Sequence, residues 1–172
     1  MDWWQVCHEN CDNTPQACVD WCDAYAYCQA VGKRLCGKIG GGSNAYGDHA
    51  NAALSQWYHA CTSQGTYAYP YGNVHDATAC NTVLHEGDEL FPVGFLDTCQ
   101  SPVAGYGGVY DLSGNVWEWE DSCDGPEWNA LCRMRGGSAF NDVYGDPSCG
   151  TGAAMYRDAV KIDFGIRCCS SP

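Results

Sequence analysis

Apolar positions recur at three- and four-residue spacing in two stretches of the chain, and each predicts a helix. In the first, Trp21, Ala24, Tyr25, Cys28 and Val31 fall on one face. Asp20 stands as its N-cap, Asp23 at the capping-box position and Gly32 as its C-cap. Lys33 and Arg34 follow, where positive charge suits a helix end. Arg34 reads as a solvated or structurally paired arginine. The second helix is predicted over 50–63, with Leu54, Trp57, Tyr58 and Cys61 sharing a face. The period then changes. Tyr110–Trp119 reads Tyr-Asp-Leu-Ser-Gly-Asn-Val-Trp-Glu-Trp, a bend that runs into strand-like alternation. Trp117 and Trp119 lie on one side of that strand, Val116 and Glu118 on the other. A closing strand is predicted around Phe164–Cys168.

The remaining chain lacks period. Met1–Gln16 is polar, aromatic and cysteine-bearing, and Cys36–Asn51 is a glycine-rich insertion. Gly37, Gly40, Gly41 and Gly42 do not make a phosphate loop, because no strand leads in and no Gly-Lys-Ser/Thr ending leads out. Thr66–Gly72 is an aromatic run. Glu120, Asp121 and Asp124 are expected as solvated loop acids. The pattern predicts two helices, short strand-like stretches and much loop. At 172 residues it is expected to form one domain over 1–172.

Charge narrows the partners. Eight basic against 21 acidic residues give a formal net charge of -13, which disfavours nucleic acid and anionic membranes. Cysteine narrows the compartment. The 14 cysteines are even in number and dispersed along the chain, so they predict seven disulfides rather than zinc sites, and an oxidising, secreted or cell-surface location. Each bridge is worth about 2–4 kcal/mol. Cys168 and Cys169 are expected in two separate bridges. No secretory leader, transmembrane run or lipidation motif is legible, so the sequence implies export without showing a route.

Asp111 and Glu118 flank the Ser113-Gly114-Asn115 bend. Together with carbonyls turned inward at the bend they could supply oxygens to a calcium ion, which takes six to eight. The plainer reading is a tight turn into a core strand with both acids solvated. The spacing is not that of an EF-hand.

The decapeptide resembles the signature of the formylglycine-generating-enzyme (sulfatase-modifying factor) family. Arg135-Gly136-Gly137-Ser138 and Gly165-Ile166-Arg167 follow in the family's order, and Val19–Ala24 with Gly32-Lys33-Arg34-Leu35 precedes them. Tyr69-Pro70-Tyr71-Gly72 is similar to the family's Tyr-Pro-Trp-Gly. The resemblance spans about Gln16 to Cys169 and implies an α+β fold, an irregular variant of the C-type lectin fold with two helices and short antiparallel strands that binds calcium and is here disulfide-rich. It carries Asp111 and Glu118 over as side-chain ligands, with Gly114 and Val116 as carbonyl ligands. Cys80-Asn81-Thr82 resembles a segment that donates to a second calcium, so Asn81 and Thr82 join the candidates, with an acid from Glu86–Glu89 completing that site. The family's usual N-terminal region is not recognisable, so the chain is expected to be a compact variant or a fragment.

The resemblance also says which chemistry to look for. Family oxidases convert a sulfatase cysteine to formylglycine with a copper(I)-binding pair, Arg-Gly-Gly-Ser-x-x-Cys-x4-Cys. Soft copper(I) prefers two thiolates. Here the two positions hold Asn141 and Asp146, both hard oxygen donors, and Cys149 lies three residues beyond. The family's iron-dependent branch uses a His-x3-His-x-Glu triad, and the five histidines at 8, 49, 59, 75 and 85 offer no such spacing. No Gly-x-Ser-x-Gly elbow is present. No catalytic residue is assigned. Two classes remain. One is a calcium-stabilised binding or structural module recognising a protein or glycan, or self-assembling at the cell surface. The other is a divergent oxidase acting on a protein cysteine. A count of free thiols separates them.

Overall fold

The computed structural model describes residues 13–85, 89–140 and 147–170. Helix α1 spans Trp21–Ala30, strand β1 Arg34–Leu35 and helix α2 Gln56–Cys61, with a 3-10 turn at Tyr46–Asp48 before α2. Strands β2 (Trp117–Cys123), β3 (Leu131–Arg135), β4 (Gly152–Tyr156), β5 (Phe164–Ile166) and β6 (Cys168–Cys169) follow. The expected α+β class holds, and the long tracts between elements are turns and bends.

Helix α1 begins where predicted. The Asp20 carboxylate accepts the Asp23 N–H, and Trp21, Ala24 and Cys28 are buried. Val31, expected on that face, is the C-cap and half exposed, because the helix ends before it. Gly32 follows in the left-handed region, at φ 72°, where a glycine terminates a helix at no steric cost. Helix α2 is shorter than predicted. Ser55 caps it by accepting the Tyr58 N–H, so Leu54 lies outside, and only Trp57 and Cys61 are fully buried.

The main sheet has the order β4-β3-β2-β5. β2 runs antiparallel to β3 and β3 to β4, but β2 and β5 are parallel, a departure from the all-antiparallel expectation. β1 and β6 form a separate antiparallel ribbon. On one side of β2 the core gathers Trp21, Leu35, Trp117, Trp119, Met134 and Phe164. A second cluster holds Trp57, Leu112 and the cysteines 36, 61 and 149.

The register of β2 against β3 jumps between Trp119, opposite Met134, and Cys123, opposite Cys132. The extra residues bulge toward the 36–55 loop. There Asp121 N donates to the Cys36 carbonyl, and Asn44 N donates to the Asp121 carbonyl, each at 2.7 Å. This corrects the expectation of solvated acids: Glu120 and Asp121 are buried, and only Asp124 is exposed.

Five bridges are described: Cys28–Cys168, Cys36–Cys169, Cys61–Cys149, Cys80–Cys99 and Cys123–Cys132. Cys18 is disulfide-bonded as well. Cys168 and Cys169 do enter separate bridges, fastening β6 to α1 and to the segment after β1. Cys22 corrects the prediction that every cysteine is paired. It is a free, exposed thiol, because it lies off the α1 face that carries Trp21, Ala24 and Cys28 inward. Among the described residues no helix is long and apolar enough to cross a membrane.

Candidate functional site

The central decapeptide folds as a bend that feeds a buried strand. Asp111, Gly114 and Asn115 all have positive φ, at 60°, 80° and 63°. Gly114 is required twice over, since a Cβ there would also collide with the Asn81 carbonyl. That carbonyl accepts the Asn115 N–H at 2.6 Å. The Asn115 side chain closes the arrangement by accepting from Asn81 Nδ2 and Phe91 N and donating to the Phe91 carbonyl. Asn81 Nδ2 also donates to the Glu89 carbonyl, at 2.9 Å. Asn81 is therefore bound to the bend itself. Thr82 lies beside it, its hydroxyl accepting the Leu84 N–H. Of the acids proposed to complete a second site, Glu86 and Asp88 lie outside the described residues.

Glu118 faces away from the tryptophan core, as the alternation predicts. Its Oε1 accepts Arg167 Nη2 at 2.6 Å, and its Oε2 accepts both Arg167 Nε and Trp57 Nε1 at 2.7 Å. Arg167 Nη2 also donates to the Tyr110 carbonyl at 2.8 Å. Burial works against the Arg167 charge, but the Glu118 carboxylate outweighs it and holds the guanidinium pKa above its ordinary value. The Asp111 carboxylate accepts the Gly94 N–H at 2.8 Å. Burial raises its pKa against the pull of that bond and of Arg167, and Glu118 pushes the same way as burial. Asp111, Glu118 and Arg167 thus share one electrostatic neighbourhood. Gly165 lies against the other side of the motif, where a Cβ would come within 2.8 Å of Val116 Cγ2.

Next to this lies a polar cluster that sequence reasoning missed. Arg135 is fully buried, with Nε 3.7 Å from Glu120 Oε2, and its guanidinium lies 4.8 Å from the Trp57 ring. Its Nη2 donates to the Cys149 carbonyl at 2.8 Å, and burial lowers its pKa to about 10. Glu120 accepts from Ser55 Oγ and Asn44 Nδ2, and Asp121 accepts from Ser43 Oγ. One compositional signal pointed here: with only eight basic residues, the arginines of Arg-Gly-Gly-Ser and Gly-Ile-Arg are scarce partners for any buried acid.

Among the described residues, the cysteine and the histidines weighed for catalysis are each engaged elsewhere or lie apart. Asn141 and Asp146 lie outside the described residues. Cys149 is bonded to Cys61. His59 is held between the Ala52 carbonyl and the Tyr106 hydroxyl, while His75 and His85 contact the rings of Tyr69 and Phe91. Among the described residues no three of His, Cys, Asp or Glu form a metal-holding group. A surface cleft of about 580 Å³ is lined by Tyr71, Asp76, Asp97, Thr98, Gln100 and Ser101 among others, with no cysteine or histidine.

A chain whose β2 strand carries this bend, with Arg135-Gly136-Gly137-Ser138 and Arg167 packed against it, has the architecture of a sulfatase-modifying factor. It belongs to that family: residues 4–172 match the sulfatase-modifying factor enzyme 1-like domain. A curated relative, the inactive C-alpha-formylglycine-generating enzyme 2 of Mus musculus, is 29% identical over 174 residues, covering 91% of this chain. The chain spans about half (49%) of that protein's length. Among solved structures, CarF superimposes with a TM-score of 0.65 at 17% identity, over 94% of this chain and 69% of its own. Treponema denticola variable protein 1 gives 0.60 at 18%, covering 99% and 80%. PvdO from Pseudomonas aeruginosa gives 0.56 at 20%, covering 90% and 60%. These likenesses establish the fold.

The Asp121 environment sets a pH dependence. Burial raises its folded-state pKa although Ser43 and Arg34 pull it down. Between the ordinary carboxylate range near ~3.9 and that raised value, the folded chain binds more protons than the unfolded one, so stability falls as pH rises. Asp121→Asn is expected to lose less stability than the parent as pH rises from about 4, as read by urea unfolding at each pH. Parallel stability curves for the two proteins would refute the assignment.

Proposed function

We propose that this domain is an exported, non-catalytic binding or structural module on the formylglycine-generating-enzyme scaffold, stabilised by calcium and by its disulfides. One observation carries the non-catalytic part. Asn141 and Asp146 occupy the positions of the copper-binding thiols, and Cys149, the nearby thiol, is consumed by Cys61. The mouse relative, itself named as inactive, agrees with this reading. The five described disulfides, three of which close loops of 88 to 140 residues, favour an oxidising compartment. The ligand is a protein or glycan surface, or another copy of the chain at the cell surface.

Calcium would be held by Asp111 and Glu118 with the Gly114 and Val116 carbonyls, and Asn81 and Thr82 would donate to a second ion. Bound there, it would neutralise buried carboxylate charge. Asp111 suits such an ion, because its carboxylate is buried and accepts one described hydrogen bond, from Gly94. Glu118 fits in part. A carboxylate offers about four lone-pair sites, and Arg167 and Trp57 take three on Glu118. Asn81 spends its amide nitrogen on Glu89 and Asn115, leaving its amide oxygen for an ion.

Two experiments test this reading. Supplied with copper(I), oxygen and a peptide carrying Cys-x-Pro-x-Arg, the protein is expected to form no aldehyde. Turnover to formylglycine would establish the alternative, a divergent oxidase. Calcium at a hundredfold excess over its dissociation constant is expected to add about 2.7 kcal/mol of stability, and Asp111→Ala to remove most of that gain. Hydrogen exchange over Asp111–Glu118 should slow with calcium relative to chelator, and identical exchange would eliminate the site.

A further inference from the structure

One end of the molecule presents an aromatic surface that the fold does not use. Trp128 is 75% exposed at the tip of the β2–β3 hairpin, and Tyr156, paired with Leu131 in the adjacent register, is 57% exposed. An exposed tryptophan on a loose loop would mean little. This loop is tied at every turn. Cys123–Cys132 closes its base. Asp124 N donates to the Leu131 carbonyl, Leu131 N returns to Asp124 Oδ1, and Ala130 N donates to the Glu127 carbonyl. Arg157 then clamps it from outside, donating from Nη1 to the Pro126 and Glu127 carbonyls and from its backbone N to the Ala130 carbonyl. The Arg157 guanidinium also lies 4.2 Å over the Trp21 ring, so the cation at the centre of this end is spent inside the fold.

The exposed charged residues within four positions of either ring are all acidic. Asp124 and Glu127 are exposed on the same loop, and Asp158 is exposed two residues after Tyr156. The start of α1 docks here through Trp21 N, which donates to the Arg157 carbonyl, and it brings Asp20 and Asp23. We propose that the Trp128–Tyr156 face is a docking surface for an arginine- or lysine-bearing segment of a protein partner. Three physical reasons converge. A guanidinium or ammonium stacks favourably on a tryptophan face. The carboxylate rim supplies complementary charge and steers approach. The pinned loop has already lost the entropy that binding would otherwise cost. A second copy of the chain carries the same net charge of -13 and the same acidic rim, and an anionic membrane is repelled likewise.

This names a surface and a partner class for the binding-module reading and rests on it. The two fail separately, since aldehyde formation would end that reading without altering a binding curve. The experiment is titration of a dye-labelled hexa-arginine peptide, followed by anisotropy, against the parent and three variants. Saturable, salt-sensitive binding is expected, weakened about tenfold by Trp128→Ala. A Glu127→Gln/Asp158→Asn double variant is expected to weaken it by a similar factor. A matched pair removing the same charge elsewhere, Asp76→Asn/Asp97→Asn in the cleft, is expected to change it less than about twofold. Near-ultraviolet circular dichroism checks that each variant is folded. Equal loss in the cleft pair would reduce the effect to general acidity and overturn the proposal. So would indifference to Trp128→Ala, Trp128-dependent binding of uncharged chitotriose, or Trp128-dependent dimers in sedimentation.

Discussion

The ion pair between Glu118 and Arg167 is the constraint on which the rest of this architecture rests. Three side-chain donors converge on one carboxylate: Arg167 twice and the Trp57 indole once. Because those groups come from β2, from the link between β5 and β6, and from α2, the single carboxylate fixes how three remote parts of the chain meet. Arg167 then reaches the Tyr110 carbonyl and anchors the start of the bend. Glu118 is buried and Arg167 partly exposed, so removing Arg167 strands the Glu118 charge in the interior, whereas removing Glu118 leaves a guanidinium that water reaches in part. The pair's effect is on specificity of assembly: alternative docking of the C-terminal strands would leave Glu118 with the Trp57 indole but no counter-charge.

The disulfides repeat the same joins covalently. Cys36–Cys169 and Cys28–Cys168 fasten the residues immediately after Arg167 to the first third of the chain, at separations of 133 and 140. Cys61–Cys149 ties α2 to the segment ahead of β4, beside Arg135. A fold with short strands and so much irregular backbone buries fewer regular contacts per element. Long-range bridges compensate by restricting the unfolded chain. The same economy explains why the eight basic residues, though outnumbered, matter locally. Arg133, Arg135, Arg157 and Arg167 each engage a ring, a buried acid or backbone carbonyls.

Much of the site was legible in the chain because it is local. The Asp20 cap and the spacing of Trp21, Ala24 and Cys28 are information within one helix, and α1 begins where they place it. The alternation of Trp117 and Trp119 against Glu118 likewise needs no partner to be read. Illegible features depended on distant residues. Glu120 and Asp121 look like loop acids until a bulge turns Glu120 toward Asn44 and Ser55 and Asp121 toward Ser43, each more than sixty positions away. Helix α2 overran its true start because Leu54 continued the apolar spacing, whereas the Ser55 side chain ends the pattern by capping. Parity suggested that every cysteine is bonded, but parity carries no geometry, and Cys22 points off the buried face of α1. The partner of Glu118 was present in the text of the motif Gly-Ile-Arg, yet only the parallel pairing of β5 with β2 brings them together.

A double-mutant cycle on Glu118 and Arg167 tests this account most directly. Urea unfolding of the parent, Glu118→Gln, Arg167→Met and the double variant, with disulfides intact, yields the coupling energy. Arg167→Met, which strands the buried Glu118, is predicted to cost about 3–5 kcal/mol, Glu118→Gln to cost less, and the double variant to cost less than the sum of the two by about 2 kcal/mol or more. Additivity within about 0.5 kcal/mol would contradict the claim that this pair organises the fold.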